Sequence, residues 1–187
     1  GDSDWFSVGL SAGVTYIIDI KGDISDGAQL DPLIDPLLII RDENGNVVAR
    51  FDDFGGSLNA RAFFTPTENG QYFLEARSAY RFDIGAYTVE VNLAPPDDHA
   101  SELGDEATAL ILGESIQAEI GAPGDRDVFV LDLEEGRVYQ LEGSGLAGSG
   151  GSLIDPYLRV FDERGILVGF NNDGGSGNDA AFFFVPK

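Results

Sequence analysis

Apolar side chains recur at alternate positions in short runs along this chain. The stretches 5–10, 14–20, 37–41, 47–51, 60–65, 71–76 and 86–91 are rich in β-branched and aromatic residues. That period and composition predict strands whose side chains point alternately to a core and to solvent. Turn-forming segments separate them: SAG, ENGN, DDFGG, ENG and the DIG at 83–85. Short strands spaced about 8 to 12 residues apart read as an all-β sandwich. Asn44-Gly45 and Asn69-Gly70 predict hairpins, because both residue types tolerate the positive backbone angle that a tight turn demands. Only 99–112 has a helix-like composition, and Gly104 and Gly113 make it a linker with at most one helical turn.

The pattern occurs twice. GDSDWFSVGLSAGVTY (1–16) returns as GDRDVFVLDLEEGRVY (124–139), DPLLIIRDENGNVVARFDD (35–53) as DPYLRVFDERGILVGFNND (155–173), and NARAFFTP (59–66) as DAAFFFVP (179–186). The blocks keep their order and nearly their spacing, and such self-similarity marks a repeat architecture. The first copy runs on through 68–92, whereas the second is preceded by ATALILGESIQAEIGAP (107–123), so neither is whole. The expectation is about one and a half units of a longer array, as two truncated antiparallel β-sandwiches. The first covers 1–94 and lacks its opening strand, an acidic, proline-containing linker covers 95–106, and the second covers 107–187 and lacks its closing strands.

Charge narrows the function. Among 187 residues, 33 are acidic and 11 basic, for a net charge of -22. With 43% apolar and 11% aromatic residues the chain is a folded protein with an acidic surface, not a disordered acidic tail. Such a field repels nucleic acid and anionic membrane surfaces and attracts cations. Carboxylate and amide oxygens favour calcium or magnesium over zinc or copper. There is no cysteine, hence no disulfide, thiolate nucleophile or thiolate zinc site. No apolar run approaches the roughly 20 residues of a membrane span, and no signal-peptide pattern opens the sequence. With no methionine it reads as a mature product or an excerpt.

Catalytic signatures are lacking. The sole histidine, His99, sits beside Asp98 in the expected linker, where it reads as solvated. No G-x-S-x-G elbow, phosphate loop or dinucleotide fingerprint is present. The chain is therefore expected not to be an enzyme. The acidic loops are more informative: Asp35, Asp52, Asp53 and Asn59 in the first copy match Asp155, Asn172, Asp173 and Asp179 in the second. Each set offers four carboxylate or amide oxygens, and calcium takes six to eight such ligands at about 2.3–2.6 Å. The same residue types are also ordinary turn formers. A second group, Asp97, Asp98, Asp125 and Asp127, comes together if the linker folds back, and otherwise is solvated linker charge. GGSGNDAAF (174–182) fits the nonapeptide of calcium-binding β-rolls, but GGSLNARAF (55–63) breaks that pattern, which leaves the loop as a calcium candidate without the roll. Trp5, Phe6, Phe63, Phe64, Tyr72, Phe73 and Phe182 to Phe184 are expected in the core, while Tyr80, Phe82 and Tyr87 are candidates for an exposed ligand platform.

Taken together, GDRDVFVLDLEEGRVYQL, DPYLRVFDERGILVGFNNDGG, FFTPTENGQYFLEA and GAYTVEV resemble the bacterial pre-peptidase C-terminal domain family. The resemblance implies tandem jelly-roll-like β-sandwiches carried by secreted or cell-surface bacterial proteins. The family is similar to the calcium-dependent collagen-binding domains of clostridial collagenases, where an acidic segment ahead of the sandwich and acids of the first D-x-D strand hold calcium. By position, that implicates Asp97, Asp98, Asp125 and Asp127, although the segment here reads PPDDHA rather than the collagenase pattern. Collagen binding is not implied, since the platform residues do not match. The expected function is that of a non-catalytic, calcium-stabilised spacer or accessory module. Two alternatives stand beside it. One is a module that binds an extracellular polysaccharide or protein, attached to a secreted hydrolase. The other is a subunit of an extracellular fibre or adhesin, self-assembled with further copies through open sheet edges. Halophilic adaptation would also account for the acid excess, and would give stabilisation by salt in general.

Overall fold

The computed structural model describes residues 2–23, 31–80, 83–104, 106–146 and 152–187, and throughout them the chain is all-β. It divides into two compact units, Gly1–Pro95 and Pro96–Lys187. Among the described residues no helix is long and apolar enough to cross a membrane.

In the first unit the strands are β1 (Asp4–Leu10), β2 (Tyr16–Gly22), β3 (Pro36–Arg41), β4 (Val47–Phe51), β5 (Asp53–Phe54), β6 (Ser57–Phe64), β7 (Gly70–Ser78) and β8 (Tyr87–Leu93). They form two four-stranded antiparallel sheets, in the orders β1-β7-β3-β4 and β5-β6-β2-β8. Alternation selects the inward residues. Leu10, Leu38, Ile40, Tyr72, Leu74 and Ala76 of one sheet meet Ile18, Ile20, Ala60 and Ala62 of the other in a single apolar core.

The β3–β4 hairpin is where the Asn-Gly signal predicts it. Gly45 takes φ +82°, and the Asp42 carboxylate accepts hydrogen bonds from the Asn44 and Asn46 amides at 2.9 and 2.8 Å. Asn69-Gly70 is not a hairpin, because β6 and β7 lie in different sheets. The connection between them is pinned to the β1–β2 turn instead: Gly13 N donates to Pro66 O at 2.9 Å and Ala12 N to Asn69 Oδ1 at 2.8 Å. The aromatic expectation also needs correcting. Tyr72 is buried, but Trp5 is 51% and Phe183 74% exposed. Trp5 occupies an outward position of β1, beside Phe73 (ring centroids 6.2 Å apart) and under the Arg41 guanidinium at 5.0 Å.

The second unit contains β9 (Thr108–Ala109) parallel to β10 (Phe129–Val130), β11 (Tyr139–Gly143) antiparallel to β14 (Ala180–Phe184), and β12 (Leu158–Phe161) antiparallel to β13 (Leu167–Asn171). Matched segments of the two copies pair alike. Tyr139 lies opposite Phe184 as Tyr16 lies opposite Phe64. The β12–β13 register shifts between Val160 and Phe161, as the β3–β4 register shifts between Ile40 and Arg41. The stretch expected as a linker packs within this unit from Pro96 onward and contains no helix among its described residues. Val128 N donates to Ala100 O at 2.8 Å, and the His99 ring sits 4.8 Å from that of Phe129, with Nδ1 2.9 Å from Thr108 Oγ1. His99 is thus mostly buried rather than solvated.

Candidate metal centres

Antiparallel pairing explains the first cluster. Because Leu38 lies opposite Phe51, the chain leaving β4 runs back alongside the residues that lead into β3. Asp52 and Asp53 thereby return to Asp35, and one carboxylate oxygen from each lies within 4.8 Å of the other two. Asp52 and Asp53 are exposed. Asp35 is only 5% exposed, and its Oδ1 has no hydrogen-bond partner. Its backbone is fixed on both sides: Asp35 O accepts from Ala79 N at 2.8 Å, and the fully buried Pro36 opens β3 opposite Ser78. Burial, and then the charges of Asp52, Asp53 and Asp83, raise the Asp35 carboxyl above its ordinary 3.8. Asp83 was not among the expected ligands. Its Oδ2 accepts from Ile34 N at 3.2 Å, which brings a fourth acid near the cluster.

The second cluster joins Asp97, Asp125 and Asp127 within the same 4.8 Å. Asp97 closes a turn, accepting from His99 N at 3.2 Å and from Ser101 Oγ at 2.7 Å. Asp125 accepts from Gly121 N at 2.7 Å and from Arg126 N at 2.8 Å. Asp127 Oδ1 is buried without a partner. Burial first, then the charges of Asp98, Asp125 and Asp97, raise the Asp127 carboxyl above 3.8, with His99 opposing them. Asp98 lies outside the trio; its Oδ2 accepts from Glu119 N at 3.1 Å and lies 3.7 Å from His99 Nε2.

The remaining expected ligands are placed differently. Asn59 Oδ1 accepts from Gly22 N at 3.1 Å, and Asp179 Oδ1 accepts from Gly145 N at 2.8 Å. These matched residues clamp matched glycines, Gly22 at the end of β2 and Gly145 two residues beyond the end of β11. Asp155 and Asp173 are exposed, and Asn172 Nδ2 donates to Asp173 Oδ2 at 3.1 Å. Neither Asp155, Asp173 nor Asp179 joins a carboxylate cluster among the described residues. The GGSGNDAAF loop is closed by its own backbone, with Gly175 N bonded to Asp179 O at 2.8 Å. Asn171, which was not singled out, holds that loop against β14 by accepting from Gly174 N and Ala181 N at 2.7 and 3.0 Å.

Of the platform candidates, Tyr80 is 66% exposed. Tyr87 is half-buried: its hydroxyl donates to Asp4 Oδ2, and the Phe6 ring meets it edge-on at 6.4 Å. Burial and then that bond push its phenol well above the usual range. Phe82 lies outside the described residues.

No protein-family model matches the chain, and no curated protein matches it. Among the described residues the geometry offers two clusters of hard oxygen donors, one per unit, that could each hold a metal ion.

Proposed function

We propose that this chain is a non-catalytic, calcium-stabilised β-sandwich repeat module, serving as a spacer or accessory domain of an exported bacterial protein of the pre-peptidase C-terminal type. The observation that carries the reading is the meeting of Asp97, Asp125 and Asp127, of which Asp127 has a buried oxygen without a partner. The first of these acids precedes the sandwich strands and the other two belong to the D-x-D motif, as the resemblance implies. Without a cation the three carboxylates repel one another. With calcium bound, the segment leading from Pro96 is tied to the turn before β10, and Asp127 gains a partner. Binding to the folded state alone stabilises it by RT ln(1 + [L]/Kd), about 2.7 kcal/mol at a hundredfold excess over Kd.

A thermal melt of chelator-stripped protein tests this, titrated with calcium beside magnesium and with sodium chloride matched for ionic strength. Calcium should raise the midpoint of the second unit saturably at low concentration, and Asp127→Asn should remove most of that rise. A rise that sodium chloride reproduces would leave only a general salt effect on an acidic surface and would end the proposal.

A further inference from the structure

We infer that Asp35, Asp52 and Asp53 form a separate binding site for one divalent cation in the first unit. The site lies in a different unit, on different side chains, and does not depend on the calcium reading of the Asp127 cluster. An acidic cluster alone would carry nothing, since exposed carboxylates are common on a protein of net charge -22. Asp35 is what distinguishes this one. It is 95% removed from solvent, its Oδ1 has no donor, and the two nearest ionic groups in the cluster are carboxylates rather than cations. A buried carboxylate oxygen with neither a donor nor a counter-ion is unfavourable unless something positive reaches it. The three oxygens are close enough together to bind one ion directly.

The ion class follows from the donors. Three carboxylates supply hard oxygens, and the exposed side contributed by Asp52 and Asp53 admits water to complete the shell. Calcium accepts such irregular, partly hydrated geometry more readily than magnesium, which demands a near-ideal octahedron. Calcium is therefore expected to bind more tightly here.

Binding also has a structural consequence. Residues 31–35 are laced to the segment that carries Tyr80 through four hydrogen bonds. Ala79 N donates to Asp35 O at 2.8 Å, Ile34 N to Asp83 Oδ2 at 3.2 Å, Leu33 N to Ala86 O at 2.8 Å, and Ala86 N to Asp31 O at 2.9 Å. An ion at Asp35 joins this double layer to the β4–β5 junction, where the chain passes from one sheet to the other. Asp155, the counterpart of Asp35, is exposed and belongs to no carboxylate cluster among the described residues.

Calorimetric titration of the chelator-stripped full chain with calcium chloride tests the assignment. Trp5, the only tryptophan, reports on the first unit through its emission. In an Asp127→Asn background, calcium should still bind at a single site, raise the Trp5-detected melting midpoint, and slow hydrogen exchange at the Ile34 and Ala79 amides. Adding Asp35→Asn should weaken that binding at least tenfold and abolish the Trp5 response. Asp52→Asn, at an exposed position where folding is not at stake, should weaken it several-fold. If the Asp127→Asn protein binds no calcium, or if Asp52→Asn and Asp35→Asn both leave its affinity unchanged, the site does not exist. Calcium binding by the wild-type protein that Asp127→Asn alone abolishes entirely would support only the other cluster and overturn this one.

Discussion

Asp179 offers the sharpest test of how these acids are used, because two readings predict opposite signs. As a cation ligand, it should lose calcium affinity when changed to asparagine. The structure gives it another role. Asp179 is 1% exposed, its Oδ1 accepts from Gly145 N at 2.8 Å, and its Oδ2 has no partner. The matching contact in the first unit is made by the neutral amide of Asn59. Asp179→Asn keeps the acceptor for Gly145 and replaces an unpaired buried charge with a neutral polar group. Uncompensated buried charge costs about 3–5 kcal/mol. An unpartnered neutral polar group costs about 1–3 kcal/mol. The substitution should therefore stabilise the second unit by about 2 kcal/mol, which in a domain of this size corresponds to a rise of roughly 10 °C in melting temperature.

Differential scanning calorimetry with Trp5 emission recorded in parallel reads this out. The heat-absorption transition of the second unit should move upward, while the Trp5-detected midpoint of the first unit stays in place. The reciprocal change, Asn59→Asp, should lower the Trp5 midpoint, since it introduces the charge that Asp179 carries. A lower midpoint in Asp179→Asn, or an unchanged midpoint with weaker calcium binding, would refute the reasoning and return Asp179 to the metal ligands.

Three further outcomes follow from the same geometry. Ile40 is fully buried in β3 between the two sheets, so Ile40→Ala should cost about 2–5 kcal/mol in urea unfolding followed by Trp5, and a loss below 1 kcal/mol would contradict the placement of the core. A Cβ at Gly85 would overlap the backbone of Leu33 and Pro32, so Gly85→Ala should destabilise by about 1–3 kcal/mol and speed hydrogen exchange at Leu33 and Ala86; unchanged exchange there would rule the close approach out. In chelator, the raised carboxyl of Asp35 means that the folded chain holds this proton more tightly than the unfolded chain does. Its favourable contribution is complete below 3.8 and is lost as pH rises through the raised value, so the stability of Asp35→Asn relative to wild type should grow from acid to neutral pH; a difference independent of pH would refute it.

What could be read in advance divides along a physical line between local and long-range causes. Strand positions such as Ile18, Ile20, Leu38 and Ile40 were legible because a short run rich in β-branched and aliphatic residues between turn formers is a property of each strand alone. The Asn44-Gly45 turn was legible for the same reason, since Asp42 and its next four residues build it unaided. Asn69-Gly70 carries an identical local signal, yet its partners are Ala12 and, through Pro66, Gly13, more than fifty residues away in sequence. Asp83 and the burial of His99 are likewise products of tertiary packing that no motif announces.

The acids show where pattern and chemistry part. Asp35, Asp52 and Asp53 meet because a hairpin must return to its own start, so their cluster was implicit in strand order. Asn59 and Asp179 also sit at matched positions, and an exchange of asparagine for aspartate preserves an oxygen while changing its charge. Preserved oxygen is as much the requirement of a backbone N–H as of a cation, and Gly22 and Gly145, at matched positions themselves, were the available clue that the first requirement applies. A cation ligand needs a free oxygen with other carboxylate oxygens beside it. Asp35 and Asp127 meet both conditions, whereas among the described residues Asp179 has no such neighbours, and an isolated buried charge of that kind is better removed than filled.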